Sequence, residues 1–172
     1  VHEARPLDVR LVPIAGSDAQ RMRLKVYSAA GALSLSRVVP GLENFGFTVI
    51  EEVPTQLVDG HVGHIHDFLL TIPAGMASPF ADAARVPVIE NAIAVKLCGT
   101  TENDAFNQLI VNTGLDPQAV VWLRAWFRYL RQAGATYSLD TFVHALRGAG
   151  DVTRALIALF EALHRPGKTS EK

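Results

Sequence analysis

Residues 21–57, RMRLKVYSAAGALSLSRVVPGLENFGFTVIEEVPTQL, set two strand patterns on either side of a helix pattern. Arg21 to Ser28 alternates, with Met22, Leu24 and Val26 on one face and Arg21, Arg23 and Lys25 on the other. That predicts a sheet with one helix-covered side and one charged side. Ser34 stands where a helix N-cap belongs, and Leu35, Val38, Val39, Leu42 and Phe45 recur at helical spacing before Gly46 supplies a stop. Phe47 to Leu57 reads as the second strand. A right-handed crossover through the helix lays it parallel to the first, with a gap between them.

The flanks fill that gap and extend the sheet. On the N-terminal side Asp8 to Ile14 (DVRLVPI) alternates, and AGSDAQ between it and Arg21 reads as a hairpin loop. On the other side His61 to Ile72 follows a tight Asp59-Gly60 turn and runs back antiparallel between the two crossover strands. Phe68, Leu70 and Ile72 then face the helices, and Asp67 falls on the charged face near Arg23 or Lys25. Val86 to Leu97 returns to helical spacing and closes the unit. The expected fold class is α+β. Residues 1–98 form a four-stranded, antiparallel-rich sandwich of ferredoxin type, whose usual last strand comes from the N-terminus instead.

Beyond Gly99 only helix patterns remain, which predicts a four-helix all-α subdomain over residues 99–172. Thr101 to Asp104 (TEND) resembles a capping box ahead of Phe106, Leu109 and Ile110, with Gly114 as the stop. Asp116 to Gly134, DPQAVVWLRAWFRYLRQAG, carries an N-cap, Pro at the first helical position and a terminating Gly. Val120, Trp122, Leu123, Trp126, Phe127, Tyr129 and Leu130 sweep about half of its circumference, the pattern of a central helix, and leave Arg124, Arg128 and Arg131 as the solvent stripe. Ser138 caps a helix bearing Leu139, Phe142, Val143 and Leu146, ended by Gly148. Asp151 caps a last one bearing Val152, Leu156, Leu159, Phe160 and Leu163. The tail from Pro166 reads as frayed or as a linker.

Composition narrows the function classes. With 172 residues, 49% hydrophobic and a net charge of -1, the chain has material for a real core and lacks the basic excess of a dedicated nucleic-acid binder. Cys98 is the single cysteine, which excludes an intrachain disulfide and any CxxC zinc motif and points to a reducing, cytoplasmic setting. No apolar run reaches the roughly 18 residues that span a bilayer. Val1 in place of an initiating methionine points to a piece of something longer.

Motifs for chemistry are absent: there is no GxGxxG, no GxxxxGK[ST] and no GxSxG. The best metal-ligating group is His61, His64 and His66 with Asp67. Two ligands on one strand rarely suffice, however, and His66 shares its parity with Phe68 and Leu70 as a core-edge histidine would. Arg124, Arg128 and Arg131 have the charge to contact phosphates, but acidic residues in the same helices favour a salt-bridged face. Glu102 and Asp104 lie in a first helical turn, where carboxylates complement the dipole without any catalytic part. No catalytic, cofactor-binding or metal residue is assigned.

RLKVYSAAGALSLSRVVPGLENFGFTVIEE, IHDF at Ile65 to Phe68, ENDAFNQLIVNTGL, LRAWFRYLRQAG and the following YS together resemble the large, NAD-specific bacterial glutamate dehydrogenase family. The resemblance covers nearly the whole chain. It implies an ACT-like module followed by the start of a helical region, both ahead of a catalytic core that deaminates L-glutamate oxidatively to 2-oxoglutarate and ammonia with NAD. The implied partners are the remaining domains of that enzyme, in a homo-oligomer, with neither nucleic acid nor membrane. In ACT modules that sense amino acids, the site lies where the strand before the first helix turns into that helix. That places a candidate effector turn at Ser28, Gly31 and Ser34. The turn offers two serines and no acidic partner for an amino group, so the favoured reading is a regulatory or assembly segment without an amino-acid site of its own. The alternatives are a free-standing amino-acid-sensing ACT-like module and a helical nucleic-acid-binding protein. The purified chain is expected neither to bind NAD nor to oxidise glutamate. A saturable NAD titration, or NADH formation with glutamate, contradicts this.

Overall fold

The structure is a computed structural model that describes residues 7–16, 20–57, 63–74, 76 and 78–164. Strands β1 (Leu7–Pro13), β2 (Arg21–Ser28), β3 (Thr48–Leu57) and β4 (Gly63–Thr71) form one sheet in the order β1-β2-β4-β3. Every neighbouring pair is antiparallel, so β2 and β3 run parallel on either side of β4, as the crossover requires. Helices α1 (Leu35–Glu43) and α2 (Arg85–Leu97) cover one face. Met22, Leu24 and Val26 stand opposite Leu70, Phe68 and His66, and all are buried against Val38, Leu42, Phe45, Ile89 and Ile93. Each fully buried aliphatic or aromatic side chain of this kind contributes about 1.5–3 kcal/mol. On the other face Lys25 pairs with Asp67 at 2.7 Å, and Arg23 approaches the same carboxylate at 3.5 Å. Edge strand β1 is secured from above, where Glu90 of α2 accepts the Leu11 N–H at 2.7 Å.

The helical half contains α3 (Gln108–Thr113), α4 (Pro117–Gln132), α5 (Leu139–Gly148) and α6 (Gly150–His164). Asp116 caps α4 by accepting the Gln118 N–H at 2.7 Å, and Gly134 follows its end with φ +99°. Ser138 caps α5 through the Thr141 N–H. A hydrophobic cluster of Phe106, Phe127 and Phe142, with ring centroids 5.3–6.0 Å apart, ties the turn that leads into α3 to α4 and α5. Phe160 of α6 packs on Trp122 and Trp126. Buried residues from Leu7 to Ile157 form one contiguous cluster that runs from the sheet into the helices.

Helix α3 is the joint between the halves. It is six residues long and buries Leu109, Ile110, Val111 and Thr113. Its last carbonyls have no intrahelical partners. Arg85, the first residue of α2, donates to the carbonyls of Ile110 and Val111, and Arg154 of α6 donates to that of Thr113 at 2.8 Å. Gly114 then turns left-handed with φ +70°, a conformation that favours glycine, and a Cβ there would crowd the Arg85 Nε at 3.2 Å.

Several expectations are corrected. Strand β1 spans Leu7–Pro13 in place of Asp8 to Ile14, and α1 stops at Glu43, short of Phe45. Ser34 occupies the N-cap of α1 without capping it, because its hydroxyl bonds that of Ser36 at 2.7 Å. The start expected at Thr101 falls at Asp104, which accepts the Phe106 N–H and opens a 3-10 turn, Ala105–Asn107, leading into α3. Arg124 is buried where a solvent-facing residue was expected. Its guanidinium forks onto Asp104 at 2.8 and 2.9 Å, reaches Asn107 at 3.1 Å and lies over the Phe106 ring, which neutralises the charge and satisfies its donors. Tyr129 and Leu130, placed on the buried arc of α4, are 70% and 41% exposed, and Leu130 borders an open cleft between α4 and α5. On α6 the expected face is reversed: Thr153 and Ile157 are buried, and Val152, Leu156, Leu159 and Leu163 face outward. The Asp59-Gly60 turn, His61, the middle of the AGSDAQ loop and the tail from Pro166 lie outside the described residues.

Phe106→Ala is expected to cost about 3–5 kcal/mol in urea unfolding, as a fully buried aromatic does. Arg85→Ala is expected to cost about 1.5–3 kcal/mol, the range for charge-assisted hydrogen bonds. An Arg85→Ala loss below about 0.5 kcal/mol, the size of an ordinary surface change, removes Arg85 from the joint.

Candidate functional site

The β2–α1 turn, residues 29–34, is closed by side chains from beneath it. Ser28, the buried last residue of β2, donates its hydroxyl to the Gly31 carbonyl at 2.7 Å. Leu33 N–H donates to His66 Nε2 at 3.1 Å. That leaves the ring proton on Nδ1, which faces Glu52 Oε1 at 2.8 Å. The His66 side chain is 3% exposed and that of Glu52 13%. Backbone turn, β4 histidine and β3 carboxylate therefore form one buried chain of hydrogen bonds, in which every link has its partner. Gly31 has φ +115° and no heavy atom within 4 Å of where a Cβ would sit. Glycine is required there by backbone conformation, and close approach of another group is not the reason.

Glu52 is the residue that sequence reasoning missed. Regular alternation places Val49, Glu51 and Val53 on one face of β3. A β-bulge between Val49 and Glu51 breaks the alternation: Val49 stands opposite Leu70, Glu51 opposite Leu69 and Glu52 opposite Phe68. Glu52 is thereby turned to the helix side, in reach of His66, while Glu51 joins the charged face at 3.9 Å from Arg23. The turn expected to lack an acidic residue thus has one beneath it, already committed to His66.

The other candidate groups are dispersed. His64 and His66 share the helix face of β4 with ring centroids 6.4 Å apart, but both His66 nitrogens are engaged and Asp67 faces away toward Lys25. Among the described residues no three His, Cys, Asp or Glu side chains converge as a metal site would need. The arginine stripe of α4 is consumed internally. Arg124 is held by Asp104, Arg128 contacts Glu102, and Arg131 donates to the carbonyls of Ala135 and Tyr137 beyond the end of its own helix.

Clefts of modest size open among the described residues. One of about 220 Å³ lies between α2 and α4, with Asn91, Asn107, Gln118 and Arg124 in its wall. A second, of about 60 Å³, is bordered by Leu33, Ser34, Arg37 and Lys96 beside the β2–α1 turn. A third, apolar, of about 290 Å³, runs between α4 and α5 along Phe127, Leu130, Tyr137 and Phe142. All three fall at or below the lower end of ordinary small-molecule pockets, about 300–1,000 Å³. No helix is long and apolar enough to cross a membrane among the described residues.

Comparison with known proteins finds two successive family matches along the chain. Residues 6–84 match the family described as glutamate dehydrogenase, ACT3 domain, and residues 101–166 match glutamate dehydrogenase, helical motif 3. The chain is 34% identical over 161 residues to the NAD-specific glutamate dehydrogenase of Pseudomonas aeruginosa, covering 92% of this chain and 10% of that protein. It is 33% identical over 167 residues to the protein of the same name from Halomonas elongata, covering 96% of this chain and 10% of that protein. With the Mycobacterium tuberculosis NAD-specific glutamate dehydrogenase the identity is 38% over 140 residues, covering 77% of this chain and 8% of that protein. The chain thus spans about a tenth of the length of these relatives. An ACT-like sheet with two covering helices, followed directly by a helical unit and matched in that order along its length, belongs to the family of NAD-specific glutamate dehydrogenases.

Proposed function

We propose that this chain is a non-catalytic assembly and regulatory segment of a large NAD-dependent glutamate dehydrogenase. The parent would oxidise L-glutamate to 2-oxoglutarate and ammonia in the cytoplasm as a homo-oligomer. The observation that carries the reading is the succession of an ACT3 match and a helical motif 3 match on one continuous fold. Residues 1–98 act as the ACT-like module and 99–172 as the helical subdomain, with α3 and its two arginines coupling them. Catalysis and NAD binding are assigned to other parts of the parent. In support, the turn from β2 into its helix feeds an antiparallel sheet and carries no glycine-rich phosphate cradle.

The same reading assigns no amino-acid site to Ser28, Gly31 and Ser34. An amino acid needs convergent free donors and acceptors. Here the Ser28 hydroxyl goes to Gly31, the Leu33 N–H goes to His66, and the Ser34 hydroxyl goes to Ser36. The turn serves instead to hold α1 on the sheet.

The first test is the full reading frame with its activity: a glutamate dehydrogenase core elsewhere in the polypeptide supports the assignment, and its absence removes it. The second is a thermal-shift screen of the chain against amino acids at millimolar concentration. No shift is expected, whereas a ligand at 100 times its dissociation constant would add about 2.7 kcal/mol. A reproducible shift with one amino acid, lost in Ser28→Ala, restores the effector turn. Ser28→Ala is the variant of choice because a side chain at Gly31 would strain the backbone by itself. The internal chain of hydrogen bonds makes a further prediction. His66→Ala leaves Glu52 and the Leu33 N–H without their partner and is expected to destabilise the chain by about 2–4 kcal/mol in urea unfolding.

A further inference from the structure

Helix α6 exposes the face on which its sequence is most apolar. Thr153, Ile157 and Phe160 turn inward, with the Phe160 ring 5.1 Å from Trp122 and 5.2 Å from Trp126, centroid to centroid. One step round the helix, Val152, Leu156, Leu159 and Leu163 recur at intervals of four, three and four residues, and they are 59%, 44%, 56% and 70% exposed. That rhythm is the seam of a coiled coil. Ala155, Ala158 and Ala162 continue the outward face beside the seam, small enough to let a second backbone come close. Asp151 is the charged residue on that side. Arg154, half exposed, pairs with Asp151 and donates to the Thr113 carbonyl, while Glu161 is partly buried. A helix apolar on every face is a buried helix, and a water-facing one would alternate its aliphatic and charged sides.

We propose that this face is an intramolecular interface. In the full-length polypeptide it is covered by an α-helix that carries a matching Leu, Val and Ala seam and comes from the remainder of the same chain. This rests on reading the chain as a segment of the large dehydrogenase. The relatives hold about nine-tenths of their length outside the matched segment, so covering material is present in the same molecule. Area argues against a second copy of this chain as the cover. Four aliphatic side chains expose on the order of 400 Å², half of the roughly 800 Å² that each partner of a stable interface buries. A tethered helix needs no such area, because linkage holds it at an effective concentration of about millimolar. A lipid surface is disfavoured by charge. Membrane-lying helices border their apolar face with lysine and arginine, and α6 offers Arg154 alone, engaged elsewhere.

The test compares Leu159→Cys in two settings, the 172-residue chain and the full-length polypeptide, by maleimide labelling read site by site with mass spectrometry. The expected result is labelling of the short chain at the rate of an exposed thiol, and labelling at least about ten times slower in the full-length protein. Equal rates overturn the proposal. So does a dimer of the short chain in sedimentation velocity that Leu159→Glu dissociates, which makes a second copy the occupant. Co-sedimentation with phosphatidylcholine–phosphatidylserine vesicles, lost in Leu159→Glu, overturns it in favour of a membrane. Leu156→Glu guards against misfolding as an explanation: it is expected to leave the melting temperature of the short chain unchanged and to lower that of the full-length protein. A full-length protein without NAD-dependent glutamate oxidation strikes the proposed function, whereas an active one with unprotected Leu159→Cys strikes the interface alone.

Discussion

The structure depends on a helix too short to stand alone. Isolated helices below about 12–15 residues are marginal in water, and α3 has six. It persists because its apolar residues are buried on several sides and because its terminal carbonyls are taken by arginines from opposite directions. Arg85 comes from the helix that covers the sheet, and Arg154 from the last helix of the other half. Loss of either leaves buried carbonyls without partners, which costs more than the bond itself contributes. The ACT-like sheet and the helical unit are therefore coupled energetically through a few backbone oxygens, in addition to the apolar surface they share.

A similar economy governs the β2–α1 turn. The Ser28 hydroxyl closes on the Gly31 carbonyl, and the Leu33 N–H is taken by a histidine from the centre of the sheet that leans on a carboxylate from its edge. Such a network fixes one geometry for the entry of α1 and leaves little with which to recognise a small polar ligand.

Much of the sheet was legible because its signals are local. Alternation in Arg21 to Ser28, a helix pattern of about the right length, and handedness were enough to place β4 between β2 and β3 and to set Asp67 beside Lys25. Glu52 was not legible. A bulge changes the parity of everything beyond it, and the hydrophobic pattern of an exposed edge strand is too weak to reveal the shift. Arg124 was misplaced for a different reason. Periodicity sorts side chains by polarity, but a guanidinium forked onto a carboxylate is neutral as a pair and packs like an aromatic-sized group; the sign of it was Asp104, read only as a helix cap. On α6 the apolar arc is wider than one neighbour covers, so the sequence named the apolar residues correctly and could not say which of them this segment buries.

The placement of β1 has a kinetic meaning. In the usual ferredoxin-type order the outer strand beside the first one arrives last, after every other element has been made. Here it comes first and pairs with its immediate neighbour, Leu7 opposite Ser28 and Pro13 opposite Met22. Two of the three strand pairings are therefore between neighbours in sequence, and only β2 with β4 closes a long loop. Lower contact order speeds folding. A chain built in this order can thus complete its sheet soon after α2 leaves the ribosome, before the helices that follow need a surface on which to pack.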